Sequence, residues 1–338
     1  MRSTKVTSFV KALGVLYAEH GKPGDAQAMK KYLRGQFAHF GLKSPLRSAL
    51  DKEFLASYTV SRPQRKRKRS GDSMTEEQAD DSKETLVPSS IFTEAQLTEL
   101  VQNLWDKEER EFQYFAMGYL VKPISHVSVT FIDTLQHMVE HKSWWDTVDM
   151  LASKHVGTLV QRFPDQLTPE KWINDENMWL RRTALLFQLR HLYIHVAYKE
   201  TTDEERLFRF CRLRMQDTDF FMRKAIGWAL RQHARHRMDA VRDFVVNNQG
   251  ALSALSIREA MKHIHTPKGL RERMLAAKKR GGVNDHEGAG GVNDHEDAKG
   301  KADPEREDGG EDDAEEEENE EAKPRRKSQR LKRSKQHS

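Results

Sequence analysis

Cysteine is nearly absent from this chain of 338 residues, the only one being Cys211. That excludes an internal disulfide framework and any zinc site built on a cysteine cluster, and it suits a reducing intracellular compartment. Cys211 lies in Leu207-Phe208-Arg209-Phe210-Cys211-Arg212-Leu213, where the expected role is a small apolar core filler rather than a nucleophile. Long apolar runs are missing too. None reaches the roughly 18 residues that span a bilayer, and Met1-Arg2-Ser3-Thr4-Lys5 leads into no signal-type hydrophobic stretch, so no membrane partner is expected. Convincing strands and βαβ alternation are also lacking, which leaves an all-α reading.

What is present is charge. Charged residues make up 32% of the chain and the mean hydropathy is −0.82, too polar for one compact domain along the whole length. The polar excess gathers at Pro63–Ser90 and from about Pro267 onward. The overall +5 hides a division: Gly281–Ser338 holds 18 Asp/Glu against 11 Lys/Arg, a net of −7, which leaves residues 1–280 at +12. A body that basic is the electrostatic footprint of a polyanion binder, nucleic acid first.

Apolar residues recur at three- and four-residue spacing through Val6–Tyr17, Ala28–Phe40, Leu97–Trp105, Phe112–Leu120, Phe131–Val139 and Trp144–Leu159. The pattern continues through Met178–Ala197, Leu207–Met215, Phe220–Ala234 and Val241–Val246. Thr93-x-x-Gln96 predicts a capping box, Thr168-Pro169 an N-cap with proline in the first turn, and Ser143-x-x-Asp146 a further cap. Short paired helices with polar turns predict a HEAT-like repeat α-solenoid whose concave face can follow a rod-shaped polyanion. The division expected is residues 1–58 as the first helices, 59–90 as a disordered basic then acidic insertion, 91–266 as the remaining repeats, and 267–338 as a disordered tail.

Ser143-Trp144-Trp145-Asp146-Thr147-Val148-Asp149 carries the chemistry. Residues four apart share a helix face, so the Trp145 indole and the Asp149 carboxylate can meet one ligand. Both groups favour positive charge, one through its quadrupole and the other directly. Trp144 cannot point the same way and is assigned to packing, as are Trp105, Trp172 and Trp179. Taken alone, Asp149 reads as an exposed helix carboxylate more readily than as a catalytic one, and Arg182 as a solvated or salt-bridged arginine.

Three ordered segments then carry a resemblance: Ser143–Asp149, Asn177-Met178-Trp179-Leu180-Arg181-Arg182-Thr183, and Phe221-Met222-Arg223-Lys224-Ala225-Ile226-Gly227-Trp228. With Leu255–His263, Lys31-Tyr32-Leu33-Arg34 and Phe40-Gly41-Leu42, they resemble the AlkD-type DNA alkylation repair glycosylases over roughly residues 6–58 and 91–265. The resemblance implies a right-handed superhelix of paired antiparallel helices that hydrolyses the N-glycosidic bond of cationic N3- or N7-alkylated purines in duplex DNA. It makes Asp149 the catalytic carboxylate, Trp145 and Trp228 the aromatic walls beside the damaged nucleotide's sugar, Arg182 a phosphate-gripping residue and Tyr32 an aromatic near DNA.

Lys142, Arg181, Arg231, Arg258 and Lys262, together with Arg190, Arg223 and Lys224, are further candidates for phosphate contact, about half of them facing DNA. No metal or organic cofactor is expected, and no lysine stands out as a Schiff-base nucleophile. A non-catalytic module for damaged DNA is the alternative, and a protein-interaction solenoid a third reading. Basic clusters at Arg65–Arg69 and Lys323–Lys335 predict nuclear import receptors as partners and a nuclear location, and a monomer suffices for one duplex. Gly281–Glu287 recurs at Gly290–Glu296, a low-complexity expansion rather than a metal site.

Overall fold

The computed structural model describes residues 3–60, 86–88, 90–167, 169–192, 202–262 and 264. The sequence-stretches 61–85 and 265–338, with their basic clusters, acidic run and repeat, lie outside the described residues, as does Thr168. Twelve α-helices follow one another in the described parts: α1 Thr4–His20, α2 Pro23–Tyr32, α3 Ser44–Val60, α4 Glu94–Trp105, α5 Arg110–Leu120 and α6 Ile132–Glu140, then α7 Trp145–Met150, α8 Gly157–Arg162, α9 Met178–Leu186, α10 Glu204–Arg214, α11 Phe220–Asn247 and α12 Ala254–Ala260. Among the described residues there is no strand, only an isolated bridge from Ala38 to Glu109. The fold is all-α, a stack of helical repeats.

Apolar spacing explains the stacking. In α1, Val6, Phe9, Val10, Leu13 and Tyr17 recur at three- and four-residue steps and are all buried against α4 and its neighbours. Phe9 is the hub of an aromatic cluster, its ring 4.8–6.4 Å from those of Phe54, Tyr58, Phe92, Phe115 and Tyr119. Such pairs add about 0.5–1.5 kcal/mol each beyond the area they bury. The Thr93/Gln96 capping box forms in both directions and starts α4 cleanly. Cys211 is fully buried, and burial pushes its thiol up to about 12, leaving a core filler without a nucleophile's thiolate.

Several boundaries differ from the periodic reading, each for a local reason. Helix α2 stops at Tyr32 instead of continuing to Phe40, because Arg34 and Gly35 take left-handed φ angles of 57° and 79° and break the register. Gly41 is left-handed as well (φ 87°), and a side chain there would meet the Lys22 carbonyl oxygen at 2.1 Å. Helix α3 has no counterpart among the expected helices, although Leu46, Leu50, Phe54 and Tyr58 recur at every fourth position. The two helices expected at Phe220–Ala234 and Val241–Val246 are one kinked helix, with the kink at Arg237.

Candidate active site

Helix α7 is only six residues long and has no side-chain cap: Trp144, not Ser143, occupies the N-cap position. Asp146 is therefore not a capping residue. It is turned inward, and its carboxylate accepts both Arg110 Nε (2.9 Å) and Nη2 (2.7 Å) as well as the Tyr114 hydroxyl (2.7 Å).

At its other end α7 runs straight into a π-helical segment, Leu151–Val156, which continues as α8. The wider π turn breaks the ordinary pairing of carbonyls, and side chains take up the freed groups. Ser153 Oγ donates to the Asp149 carbonyl (2.7 Å) and Thr158 Oγ1 to the Lys154 carbonyl (2.6 Å). Fully buried His155 reaches across to α5 instead, where its Nε2 donates to the Met117 carbonyl (2.9 Å). Burial pushes His155 down to about 4, so it stays neutral at physiological pH. The π segment re-phases the helix, so α7 can present Trp145 and Asp149 outward while Leu151, Val156 and Leu159 stay in the core.

Trp145 and Asp149 sit half-buried on that outward face. The Tyr32 ring, 53% exposed, stands edge-on to the Trp145 indole at 5.7 Å between centroids. On the far side Arg182 of α9 closes on Asp149 as a two-pronged fork, Nε to Oδ1 at 2.7 Å and Nη2 to Oδ2 at 2.8 Å. Its remaining nitrogen, Nη1, donates to the Phe221 carbonyl at the start of α11 (2.5 Å). The Arg182 side chain is 4% exposed and that of Asp149 16%. Each carboxylate oxygen carries two lone pairs and the fork uses one of each, so each oxygen keeps a lone pair with which to accept.

Residues 83–264, more than half of the chain, match the sequence model of the DNA alkylation repair enzyme family. The chain belongs to that family. A solved structure described as a predicted DNA alkylation repair enzyme from Enterococcus faecalis superposes with a TM-score of 0.57 at 25% identity, covering 73% of this chain and 98% of that one. Among curated proteins none is significantly similar in sequence.

For a DNA alkylation repair enzyme the remaining candidates fall into distinct positions. Trp228 is half-buried on α11, two turns beyond Phe221 and so on the same helix face. Among the described residues no ring contact joins it to Trp145. Gly227 beside it allows the close crossing of α12: a side chain there would meet Glu259 Cβ at 2.4 Å and the Ser256 carbonyl at 3.0 Å. Trp144 packs on Trp179 and Phe221 at 5.9 and 5.1 Å, and Trp105 is fully buried.

The basic residues are divided. Arg258 and Lys262 are exposed on and just beyond α12. Lys142, at a left-handed φ of 50°, reaches back to the Lys107 carbonyl, and burial lowers its pKa. Arg231 and Lys224 share Glu259 at 3.0 and 2.8 Å, and Arg223 is buried. Arg181 donates to the Asp175 and Glu176 carbonyls and to Asp219 Oδ2 (2.6 Å), with Asp217 at 3.1 Å, so its charge is spent inside the protein. Arg182, expected at a phosphate, is likewise turned onto Asp149. Intramolecular carboxylates hold these arginines, which residue type alone does not reveal.

Sequence reasoning missed Arg110. It sits in Asp106-Lys107-Glu108-Glu109-Arg110-Glu111, a run that reads as a solvated charge cluster, yet its side chain is fully buried. Glu111 is buried too and accepts the backbone N–H groups of Phe40, Gly41 and Leu42 at 2.9–3.2 Å. Burial works against its charge, but His39 at 3.6 Å and the amides prevail and hold its pKa below the ordinary value. Among the described residues no group of three or more His, Cys, Asp or Glu side chains is placed to hold a metal ion.

Proposed function

We propose that the protein hydrolyses the N-glycosidic bond of cationic alkylated purines in duplex DNA and leaves an abasic site. The observation that carries this reading is the Asp149 carboxylate, partly exposed and fixed by the Arg182 fork, beside an indole on its own helix face.

The chemistry follows from the lesion. An N3- or N7-alkylated purine is already positive, so the electrons of the breaking bond neutralise the departing base and little acid assistance is needed. Positive charge then builds at C1′ of the sugar. Asp149 stabilises that charge and orients the attacking water, whose proton passes to the carboxylate or to solvent. Trp145 adds a cation–π attraction of about 0.5–2 kcal/mol, with Tyr32 holding the ring edge-on, and Trp228 is proposed as a second aromatic wall. Arg182 holds the carboxylate in one orientation at the cost of part of its field.

The basic surface supplies phosphate contacts that bind without reading sequence. Selectivity then rests on the intrinsic lability of the cationic lesion. One observation favours a second reading: both Asp149 oxygens already hold Arg182, which also suits a module that binds damaged DNA without cleaving it. Release of N7-methylguanine from methylated duplex by the purified protein separates the two. No release means a binding module. A covalent enzyme–DNA species trapped by borohydride would replace simple hydrolysis with a lyase mechanism.

A further inference from the structure

Arg110 makes more polar contacts than any single structural duty requires. Nε and Nη2 fork onto Asp146, Nη2 also reaches Thr147 Oγ1 (2.9 Å), and Nη1 donates to the Lys142 carbonyl (2.7 Å). Its guanidinium lies over the Phe37 ring at 3.8 Å, and its backbone N–H donates to the Ala38 carbonyl at 2.9 Å. One buried side chain therefore ties together three things: the segment that follows Tyr32, the left-handed turn at Lys142 that leads into α7, and the first turn of α7.

A six-residue helix with no side-chain cap, running into a π segment, cannot hold its own direction. It is fixed instead by two guanidinium forks three residues apart, Arg110 on Asp146 from α5 and Arg182 on Asp149 from α9. Buried ion pairs contribute little net stability compared with apolar side chains of the same volume, so holding a geometry is the role that suits this one. We propose that Arg110 and Asp146 are positioning residues: by locking α7 to the segment carrying Phe37 and Ala38, they set the approach of Trp145 to Tyr32 and the aim of Asp149. The activity part of this inference rests on the base-release reading; the geometric part does not.

The test uses the full chain carrying 5-fluorotryptophan, with the Trp145 resonance assigned by Trp145→Phe. The double substitution Arg110→Met/Asp146→Leu replaces the pair by apolar side chains of similar volume. The expected result is a shifted and broadened Trp145 resonance. Turnover of methylated duplex falls about 30- to 100-fold while KM and duplex affinity stay within about twofold, the scale of an ångström-level misplacement. Tyr114→Phe, which removes one donor from Asp146 without a buried charge being stranded, gives a smaller shift and about a threefold loss of turnover; it decides the matter if the double variant does not fold. An unmoved Trp145 resonance in the folded variants, or a lowered melting temperature with turnover unchanged, overturns the positioning role. Failure of the unsubstituted protein to release base sinks the proposed function instead, and the resonance still decides the geometry.

Discussion

Replacing Arg182 with methionine attacks the candidate site from behind, and the structure sets the size of the effect. Breaking a buried ion pair from one side costs about 3–5 kcal/mol because the other charge is stranded. Asp149 is 16% exposed and can recover some water, which brings this down to about 2–3 kcal/mol. The Phe221 carbonyl loses its donor as well, adding about 1 kcal/mol. The sum, about 3–4 kcal/mol, corresponds to a fall in melting temperature of about 6–16 °C for a folded body of this size. Urea unfolding of Arg182→Met, Asp149→Leu and the double variant closes a double-mutant cycle. The expected coupling is about 2 kcal/mol, with the double variant more stable than Arg182→Met alone. A coupling below about 0.5 kcal/mol would show that the fork organises nothing, and the reading of Arg182 as the support of Asp149 would fall.

A half-buried carboxyl and a buried imidazole act in opposite directions on stability between about pH 4 and pH 6.5. Burial raises Asp51 to about 6, opposed by its Tyr17 hydrogen bond, so the native state holds a proton that the unfolded state releases, and stability falls as pH rises from about 4 to 6. His155, pushed to about 4, does the reverse: the unfolded state takes the proton, and stability grows as pH rises from about 4 to 6.5. Each contributes at most about 3 kcal/mol, so Asp51→Asn makes the measured stability climb more steeply with pH than in the parent, and an unchanged profile contradicts the burial of Asp51. Gly227→Ala forces α11 and α12 apart and costs about 1–3 kcal/mol in urea unfolding; a neutral effect would mean the crossing is looser than described. In a salt titration of duplex binding, Arg258→Ala and Lys262→Ala each flatten the log–log slope by about 0.9 if they touch phosphate. Arg181→Ala leaves the slope in place, because its donors are already engaged.

The all-α repeat architecture was legible because its signal is local: apolar residues at three- and four-residue steps need nothing beyond the helix itself to be recognised. The boundaries were harder. Helix α2 ends at Tyr32, and the left-handed pair Arg34-Gly35 that follows lay inside an apolar spacing that ran on to Phe40, while α3 carries its apolar residues at a strict fourfold step that faded into charged surroundings. The kink at Arg237 joins two segments that periodicity separates.

At the candidate site, the spacing of Trp145 and Asp149 gave their common face, since i and i+4 positions coincide on any helix. The partners were not legible. Asp149 with Arg182 and Asp146 with Arg110 pair across more than thirty residues, and burial, not residue type, decides that these arginines turn inward. The π segment leaves only an indirect trace, the hydroxyls of Ser153 and Thr158 placed where they reach carbonyls four residues back.

The most direct measurement is single-turnover release of N7-methylguanine from methylated duplex, with Asp149→Asn run beside the unsubstituted protein and duplex affinity measured on both. Asparagine keeps the size and one acceptor for Arg182 but removes the charge. The account predicts release by the parent and a loss of about 100- to 1,000-fold in the variant, the scale of a missing electrostatic group in a transition state, with affinity within about twofold. Equal release by the two proteins would contradict the role given to Asp149.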